Sequence, residues 1–545
     1  MHRHPSRLLV AVTAVLAVAA GLTACTQPAP GADDHGPPRS GGTLRYGLSQ
    51  APTCADPAQS SSNQTIYVTR PIVDSLTDQD PTTGALVPWL AQRWEVSPDS
   101  RRFTFTLRPG VTFSDGAPLD ATAVARSFDS VVKTLGPVKA ALGASYLSGY
   151  SGTTIVDPRT VVVEFARPNA QFLQATSTSQ LGIVSPATSA RSAAQRCEGE
   201  VAGTGPFVYT DYAQDRSATL AKRKGYAWGS SVAGHAGEPY LDRIEFTVVP
   251  ESGVRTGSLA SGQLDAISDA LPQDRTIIEG AQGRVLTTPN PGITFGLQPN
   301  VSRGVLADRA VRVALLSAID RKELVDTVLD TTFAPATSVL ARNTPGYVRS
   351  PLVTFDRSRA EAQLDAAGWR TGRDGIRVKD GRRLSFGVTF SAVFAANQTV
   401  LELLQQQLRL AGIDMQLDLV STPESVARQS NGKFDAFYYN STRADGDILR
   451  VSFSTRGRNI GRAPAVPALE DAFTGELSTS DPAARARFIA TAQQEILDNG
   501  FFIPTIELSQ TIGQGSRAHG LRFDASARLR FDDTWVTPDS SDSRS

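Results

Sequence analysis

The residue types that most often catalyse reactions or bind metals are scarce in this chain of 545 residues. It has five histidines, of which three fall within the first 35 residues and only His235 and His519 lie in the predicted folded body. Two imidazoles are too few for most multi-histidine zinc sites and give little support to a histidine relay. The patterns G-x-S-x-G, G-x-x-x-x-G-K-[ST] and G-x-G-x-x-G are all absent. Most familiar enzyme signatures are therefore missing, although a hydrolase triad stays possible in principle, and we expect no metal and no cofactor.

The charges of the chain are balanced, with 54 Lys and Arg residues against 54 Asp and Glu residues. Nucleic-acid binding needs a basic field, so no DNA or RNA partner is expected. The length corresponds to about three domains, or to fewer and larger lobes. A chain of this length buries a sizeable core without metals or disulfides to hold it together.

The first 42 residues are typical of an export signal followed by a tether. The apolar run from Leu8 to Ala20 is too short for a membrane span of about 20 residues and indicates a signal peptide over residues 1–24. It ends in Leu22-Thr23-Ala24-Cys25, which resembles the bacterial lipobox and implies a lipid on Cys25. Residues 25–42 are rich in Pro, Gly and Asp and are expected to be a disordered tether. An ordinary signal peptide with a chance cysteine is the alternative; the body has no apolar run long enough to span.

Cys54 and Cys197 are the remaining thiols. In an exported protein an even pair favours a disulfide. Two unpaired thiols are the alternative, because a sequence does not show whether two Cα atoms come within bridging distance.

Strand-like and helix-like segments alternate along the body, which favours an α/β architecture. Residues 102–107 alternate with period two before the turn signal Pro109-Gly110 and predict a strand. Residues 308–329 carry apolar side chains at helical spacing, with Asp320-Arg321 as a helix-end feature. A helix over 399–411, then Gly412, then an alternating strand indicates half of a parallel β-α-β crossover.

A series of short motifs follows along the body. They are Leu86–Ala91 (LVPWLA), Trp94–Ser97 (WEVS), Phe103–Gly116 (FTFTLRPGVTFSDG), Gly203–Phe207 (GTGPF), Tyr240–Ile244 (YLDRI), Ser261–Asp265 (SGQLD), Val311-Arg312 with Ala318–Arg321 (AIDR), Ala366–Trp369 (AAGW) and Phe434–Ala436 (FDA). Taken in order, they resemble the peptide/nickel-type solute-binding proteins (family 5, oligopeptide/dipeptide-binding type) of ABC importers. The resemblance runs from about residue 42 to residue 535.

The resemblance implies an α/β fold of the two-lobed, periplasmic-binding-protein-like kind (type II, large peptide-binding cluster), with a hinge between the lobes. Lobe 1 is expected over residues 43–285, with an inserted subdomain at about 80–203. Lobe 2 follows over 286–504, the chain returns to lobe 1 over 505–537, and residues 538–545 form a disordered tail.

The resemblance also directs attention to the segment after the FDA motif. Tyr438, Tyr439 and Asn440 are expected to end a strand. In peptide-binding relatives the following loop supplies a carboxylate for the α-ammonium of the peptide; Asp445 matches that position best and Asp447 is the runner-up. Arg443 is a candidate for a ligand carboxylate, and Gln50 is placed near the cleft. The alternatives are an exposed turn rich in Asp and Gly, and an exposed loop arginine.

These observations predict a monomeric, extracytoplasmic binding protein, anchored by its lipid to the outer face of the bacterial cell membrane. It would capture short peptides in an interlobe cleft and deliver them to the transmembrane subunits of an ABC permease. One alternative keeps the fold and changes the cargo to a nickel chelate, a haem-like molecule, an oligosaccharide or a small metabolite. A second alternative, from another class, is an exported hydrolase.

Overall fold

The computed structural model describes residues 36–60, 62–136, 142–391 and 394–538. The predicted signal peptide, Cys25, most of the predicted tether and the tail from residue 539 lie outside these residues. The described part from Pro38 onward packs as one unit.

The strands, in chain order, are β1 (Thr43–Leu48), β2 (Thr77–Gln79), β3 (Leu86–Pro88), β4 (Ala91–Val96), β5 (Arg102–Leu107), β6 (Tyr150–Asp157), β7 (Thr160–Phe165), β8 (Phe207–Ala213), β9 (Ser217–Lys222), β10 (Arg243–Val248), β11 (Ala266–Ser268), β12 (Arg284–Pro289), β13 (Gly292–Pro299), β14 (Ala334–Pro335), β15 (Arg370–Thr371), β16 (Arg377–Lys379), β17 (Arg382–Arg383), β18 (Ser385–Phe390), β19 (Asp414–Leu419), β20 (Ala436–Thr442), β21 (Ile503–Glu507), β22 (Ser509–Gln514), β23 (Ala518–His519), β24 (Arg522–Phe523), β25 (Leu529–Arg530) and β26 (Trp535–Val536).

The α-helices are α1 (Asn63–Thr69), α2 (Ala121–Ser130), α3 (Leu142–Tyr146), α4 (Phe172–Ala175), α5 (Pro186–Ser189), α6 (Ala193–Cys197), α7 (Ser252–Ala260), α8 (Arg275–Gly280), α9 (Arg309–Ala318), α10 (Arg321–Val328), α11 (Arg357–Ala366), α12 (Asn397–Leu410), α13 (Thr422–Asn431), α14 (Ile448–Phe453), α15 (Pro467–Leu477) and α16 (Pro482–Asp498). A π-helical segment, Val131–Leu135, continues α2.

The first large sheet has seven strands in the order β12-β22-β11-β1-β10-β9-β8. In β1, side chains alternate between the two faces, which buries Leu44, Tyr46 and Leu48 in the core. β10 and β11 both run parallel to β1, so the carboxyl ends of these three strands share one edge.

The second large sheet has six strands in the order β14-β21-β13-β20-β18-β19. β18 runs parallel to both β19 and β20, and α12 connects β18 to β19. The helix, Gly412 (φ +78°) and β19 form the predicted crossover. The chain crosses between the two large sheets after Pro289 and again after Glu507, and these sheets are the cores of the two lobes. The expected lobe limits at 285 and 504 fall within β12 and β21.

A four-stranded sheet, β4-β5-β7-β6, packs under α2 within the first lobe. Its core is aromatic, and the rings of Phe103 and Phe172 meet edge to face at 5.0 Å. Strand β5 has the bounds that its period-two alternation predicts, because one face is buried and the other is partly exposed.

The segment 308–329 forms two helices rather than one. α9 ends at Ala318, Ile319 is extended, and Asp320 caps α10 by accepting a hydrogen bond from the backbone N–H of Glu323 at 3.0 Å. The interpretation of Asp320-Arg321 as a helix-end feature is confirmed, whereas a continuous helix over 308–329 is wrong. The apolar stripe continues across the break because both helices cover the same core.

The GTGPF motif has a packing role. A Cβ on Gly203 would lie 1.9 Å from the backbone oxygen of Ile72, so only glycine allows these two segments to touch. The contact brings the Thr204 hydroxyl to the backbone N–H of Asp74, which donates to it at 3.0 Å.

Asp74 is fully buried and carries a prediction about pH. It accepts hydrogen bonds from Trp228 Nε1 at 2.9 Å and from the Tyr226 hydroxyl at 3.3 Å, and burial raises the pKa of Asp74 from 3.8 to about 6. The pKa of Asp74 is thus higher in the folded chain than in the unfolded chain, so the folded state favours the protonated carboxyl. The contribution of Asp74 to stability is therefore complete below about pH 4 and is lost as the pH rises to about 6. The contribution of Asp74 to the free energy of unfolding should therefore fall across this window by as much as about 3 kcal/mol.

Urea unfolding at pH 4, 5, 6 and 7 measures this fall in the wild type and in Asp74→Asn, in which the fall should be smaller because the Asp74 contribution is missing. Asp115→Asn changes an exposed carboxyl of the same lobe and should keep the wild-type profile. Equal pH profiles for the wild type and Asp74→Asn would contradict the prediction.

Cys54 and Cys197 form a disulfide, with Cα atoms 4.3 Å apart and a sequence separation of 143. It joins the segment after β1 to the end of α6. Beside it, Arg196 and Asp56 form an ion pair whose side chains are both completely buried.

Candidate functional site

Two sets of polar residues follow the carboxyl ends of parallel strands, one set in each lobe. Ser49 follows β1 and Asp269 follows β11, and the loop 443–447 follows β20. Ligands of open α/β sheets bind outside the carboxyl ends of the strands. The second-lobe set, which is the loop 443–447 after β20, contacts the first lobe.

A cavity of about 40 Å³ lies between the lobes. Its walls are polar apart from Tyr146 and Ala525. The first lobe contributes Asp78, Gln79, Tyr146, Ser177, Thr178, Ser179, Gln180, Asp524, Ala525, Ser526 and Arg528, and the second contributes Thr442 and Arg443. Pockets that hold organic ligands measure about 300–1,000 Å³, so the lobes must part to admit a solute of peptide size.

Arg443 crosses the interface between the lobes. Its guanidinium carbon lies 4.4 Å from the centre of the Tyr146 ring, and Nη2 donates to Gln171 Oε1. On its own lobe, Nη1 lies 3.0 Å from Asp447 Oδ2. The side chain is 4% exposed, so these contacts are largely shielded from water.

Asp447 lies between two arginines. Besides Arg443, Arg450 donates to it from Nε at 2.5 Å and from Nη2 at 3.0 Å. Burial alone would raise the pKa of Asp447, but the Arg450 and Arg443 guanidiniums hold that pKa well below its usual range. Asp447 is therefore a carboxylate at neutral pH.

Asp445 is bound by a different arginine. Arg485, from α16, donates to both oxygens of Asp445 at 2.7 and 2.6 Å, and also to Glu476 Oε2 at 2.9 Å. Burial, and next the Asp447 carboxylate, raise the pKa of Glu476 well above its usual range. The three acids and three arginines thus form one buried cluster behind the loop.

The other predicted site residues are spread over several environments. Tyr438 is in the core of the second lobe, where it stacks on Phe295 and its hydroxyl lies 3.1 Å from Thr505 Oγ1. Tyr439 packs edge to face against Phe502, and Asn440 is half-buried. Gln50 is exposed after β1 and does not line the cavity. Of the seven predicted residues, Arg443 is the one that lines this cavity.

Sequence reasoning missed the first-lobe side of the interface. Tyr146 follows a segment with no strand or helix periodicity, and Gln171 lies outside every motif named above. Gln79 was missed as well; its Nε2 is 3.5 Å from the backbone oxygen of Ala444. No local pattern marks these residues, because their partners belong to another part of the chain.

The far wall of the cavity is also charged. Asp78 pairs with Arg530 at 2.5 Å, and the guanidinium carbon of Arg530 lies 5.1 Å from the Trp89 ring centre. Arg70 covers the same ring at 4.6 Å. The Arg530 pair holds the Asp78 carboxylate at the cavity wall, and the Trp89 ring of the LVPWLA motif packs against both arginines.

The described ranges contain no candidate metal cluster and no candidate membrane-spanning helix. No group of three or more His, Cys, Asp or Glu side chains within them is arranged to hold a metal ion. Nor does any helix within these ranges have the length and apolar character needed to cross a bilayer.

Two lobes, a polar cavity between them and binding groups after the carboxyl ends of strands define a solute-binding protein of the two-lobed class. The sequence profile described as "Bacterial extracellular solute-binding proteins, family 5 Middle" matches residues 85–453, and the chain belongs to this family.

Similar proteins differ in the ligands that their names state. The nickel-binding periplasmic protein of Escherichia coli (strain K12) is 26% identical over 445 residues, 79% of this chain and 82% of that protein. The crystal structure of NikA from Brucella suis in complex with Fe(III)-EDTA superposes with a TM-score of 0.79 at 23% identity, covering 91% of this chain and 100% of that one. Oligopeptide-binding AppA from Bacillus subtilis, in complex with a nonapeptide, gives a TM-score of 0.76 at 20% identity, covering 92% and 100%. These structures share the fold with this chain.

Proposed function

We propose that this chain is the extracytoplasmic substrate-binding subunit of an ABC importer that captures short peptides between its lobes. It delivers them to the transmembrane subunits of a permease, and no bond is made or broken in this subunit. It works as a monomer held at the outer face of the cell membrane by a lipid on Cys25.

The observation that carries the peptide assignment is the character of the interlobe cavity. Its walls bear the carboxylates Asp78 and Asp524 and the guanidiniums Arg443 and Arg528, with hydroxyls and amides between them. A short peptide is a zwitterion with a polar backbone, and walls of both signs suit it better than an apolar solute. Four further residues remain proposed peptide contacts, since their surroundings would change as the lobes open and close. They are Asp445, Asp447, Asn440 and Tyr439.

Metal chelates are the second candidate, because one of the similar proteins is named for nickel binding and another is described in complex with Fe(III)-EDTA. Arginines that face a cavity suit the carboxylates of a chelator as well as those of a peptide. Direct coordination by the chain has less support, since no cluster of metal-binding side chains exists in the described ranges.

A thermal-unfolding experiment on the mature chain from Thr26, refolded from denaturant to remove carried-over ligand, tests the proposal. Pools of peptides of two to six residues, free or N-acetylated, should raise the melting temperature only when the amino terminus is free. A ligand at 100 times its dissociation constant adds about 2.7 kcal/mol of stability. Asp447→Asn and Asp445→Asn should reduce the shift, whereas Asp471→Asn, an exposed carboxyl on α15, should not.

No shift with any peptide pool, together with a shift for nickel or iron chelates, would overturn the peptide assignment and support the second candidate. Release of a fluorophore from a labelled peptide by the purified protein would instead support the hydrolase alternative.

A further inference from the structure

The Arg443 guanidinium is surrounded like a bound cation. One face lies on the Tyr146 ring at 4.4 Å, one edge lies 3.0 Å from Asp447 Oδ2, and another donates to Gln171 Oε1. An aromatic face, a carboxylate and a carbonyl oxygen are the three groups that proteins use to bind ammonium and guanidinium ions. We refer to Tyr146, Gln171 and Asp447 as the cation seat.

The seat is held in place by bonds that do not involve Arg443. Gln171 donates from Nε2 to the Tyr146 backbone oxygen at 3.1 Å and to Asn169 Oδ1 at 2.8 Å, which leaves its Oε1 directed at the seat. The Asp447 backbone N–H donates to Asp445 Oδ1 at 2.8 Å, and Arg450 fixes the Asp447 carboxylate. Removal of Arg443 therefore leaves all three walls supported.

The walls of the seat come from both lobes. Tyr146 and Gln171 belong to the first lobe and Asp447 to the second, so the seat is complete only when the lobes touch. A second contact crosses nearby, where the Ala170 N–H donates to the Leu477 backbone oxygen at 2.9 Å. A cation in the seat thus ties the two lobes together.

We propose that Arg443 is a built-in occupant of this seat, and that the cationic group of the captured solute, an ammonium or a guanidinium, takes its place. The inference rests on the proposed solute-binding function. It changes the role of Arg443 from a donor to the ligand's carboxylate to a competitor of the ligand's cation. A tethered competitor acts at an effective concentration in the millimolar range. If Arg443 occupies the seat in roughly 90–99% of the molecules, the seat is open to a ligand in only about 1–10% of them. The apparent affinity for a cationic group is then lowered by about 10- to 100-fold.

Calorimetric titration with methylguanidinium tests the seat without any peptide. Arg443→Ala should bind methylguanidinium about tenfold or more tightly than the wild type, and neither should bind the neutral isostere N-methylurea. The double variant Arg443→Ala/Asp447→Asn should lose the gain. Arg456→Ala, which removes an exposed arginine just beyond α14, should behave like the wild type.

Methylguanidinium binding that is no tighter to Arg443→Ala than to the wild type would overturn the proposal. So would a weaker response of Arg443→Ala to every cationic solute, which would make Arg443 a ligand contact. If Arg443→Ala does not fold, Arg443→Leu replaces it, because leucine keeps an apolar stem, lacks the guanidinium and leaves all three groups of the seat in place. A methylguanidinium affinity of Arg443→Leu that is no higher than that of the wild type would then overturn the proposal. If no peptide pool raises the melting temperature but Arg443→Ala binds methylguanidinium more tightly than the wild type does, the peptide assignment is rejected and the cation seat is supported.

Discussion

Replacing Arg485 by methionine is expected to lower the free energy of unfolding by about 3–5 kcal/mol. The substitution leaves Asp445, which is 4% exposed, without the guanidinium that binds both of its oxygens, and it also removes a bond to Glu476. Breaking a buried ion pair is costly because one charge stays in a medium of low dielectric constant without its partner. Urea unfolding followed by circular dichroism measures the loss.

Arg487→Met is the matched control, since Arg487 is two residues away on α16 and exposed; a change below about 0.5 kcal/mol is expected there. Adding Asp445→Leu to Arg485→Met should recover part of the loss, because the unpaired charge is then removed. Equal effects of Arg485→Met and Arg487→Met would contradict the buried cluster.

Arg196→Met is expected to cost a similar 3–5 kcal/mol or so in the other lobe. Arg196 lies 2.8 Å from Asp56 Oδ2 through Nε and donates to Asp56 Oδ1 at 3.0 Å, and its Nη1 donates to Ser130 Oγ at 3.1 Å. Both partners of the ion pair are fully buried, so water cannot replace the lost bonds. The effect should persist with the Cys54–Cys197 disulfide intact, because the disulfide restrains the chain but cannot neutralise Asp56.

Arg191→Met removes a half-exposed ion pair with Glu200 near the same helix and should cost less than about 1 kcal/mol. Urea unfolding under non-reducing conditions compares the two variants. A loss for Arg196→Met as small as that for Arg191→Met would mean that the Asp56 carboxylate finds another partner.

Much of the fold follows from patterns within ten or fifteen residues. The alternation that defines β5 and the sequence of helix, Gly412 and strand that defines α12 and β19 are local, because side-chain period and a left-handed glycine are properties of short segments. The break between α9 and α10 was less visible. Its signal is the single capping residue Asp320, and the apolar stripe runs on past it.

The binding side of the molecule was predicted less completely. The motifs directed attention to the loop after β20, where Arg443, Asp445 and Asp447 do lie at the edge of the second lobe. They did not distinguish the two acids, whose surroundings differ: Asp445 is bound by Arg485 and Asp447 by Arg443 and Arg450. Tyr146 and Gln171 carry no local pattern at all.

The sequence by itself determined the class of protein, the α/β architecture, several helices and strands such as β5 and α12, and the loop that reaches the interface, because these depend on periodicity, turn residues and motif order. The tertiary structure alone decided which partner each buried arginine pairs with. Arg485 lies 40 residues from Asp445, and Gln171 lies 272 residues from Arg443. Electrostatic pairing depends on distance in space and on exclusion of water, and both are set only when the lobes have folded and come together.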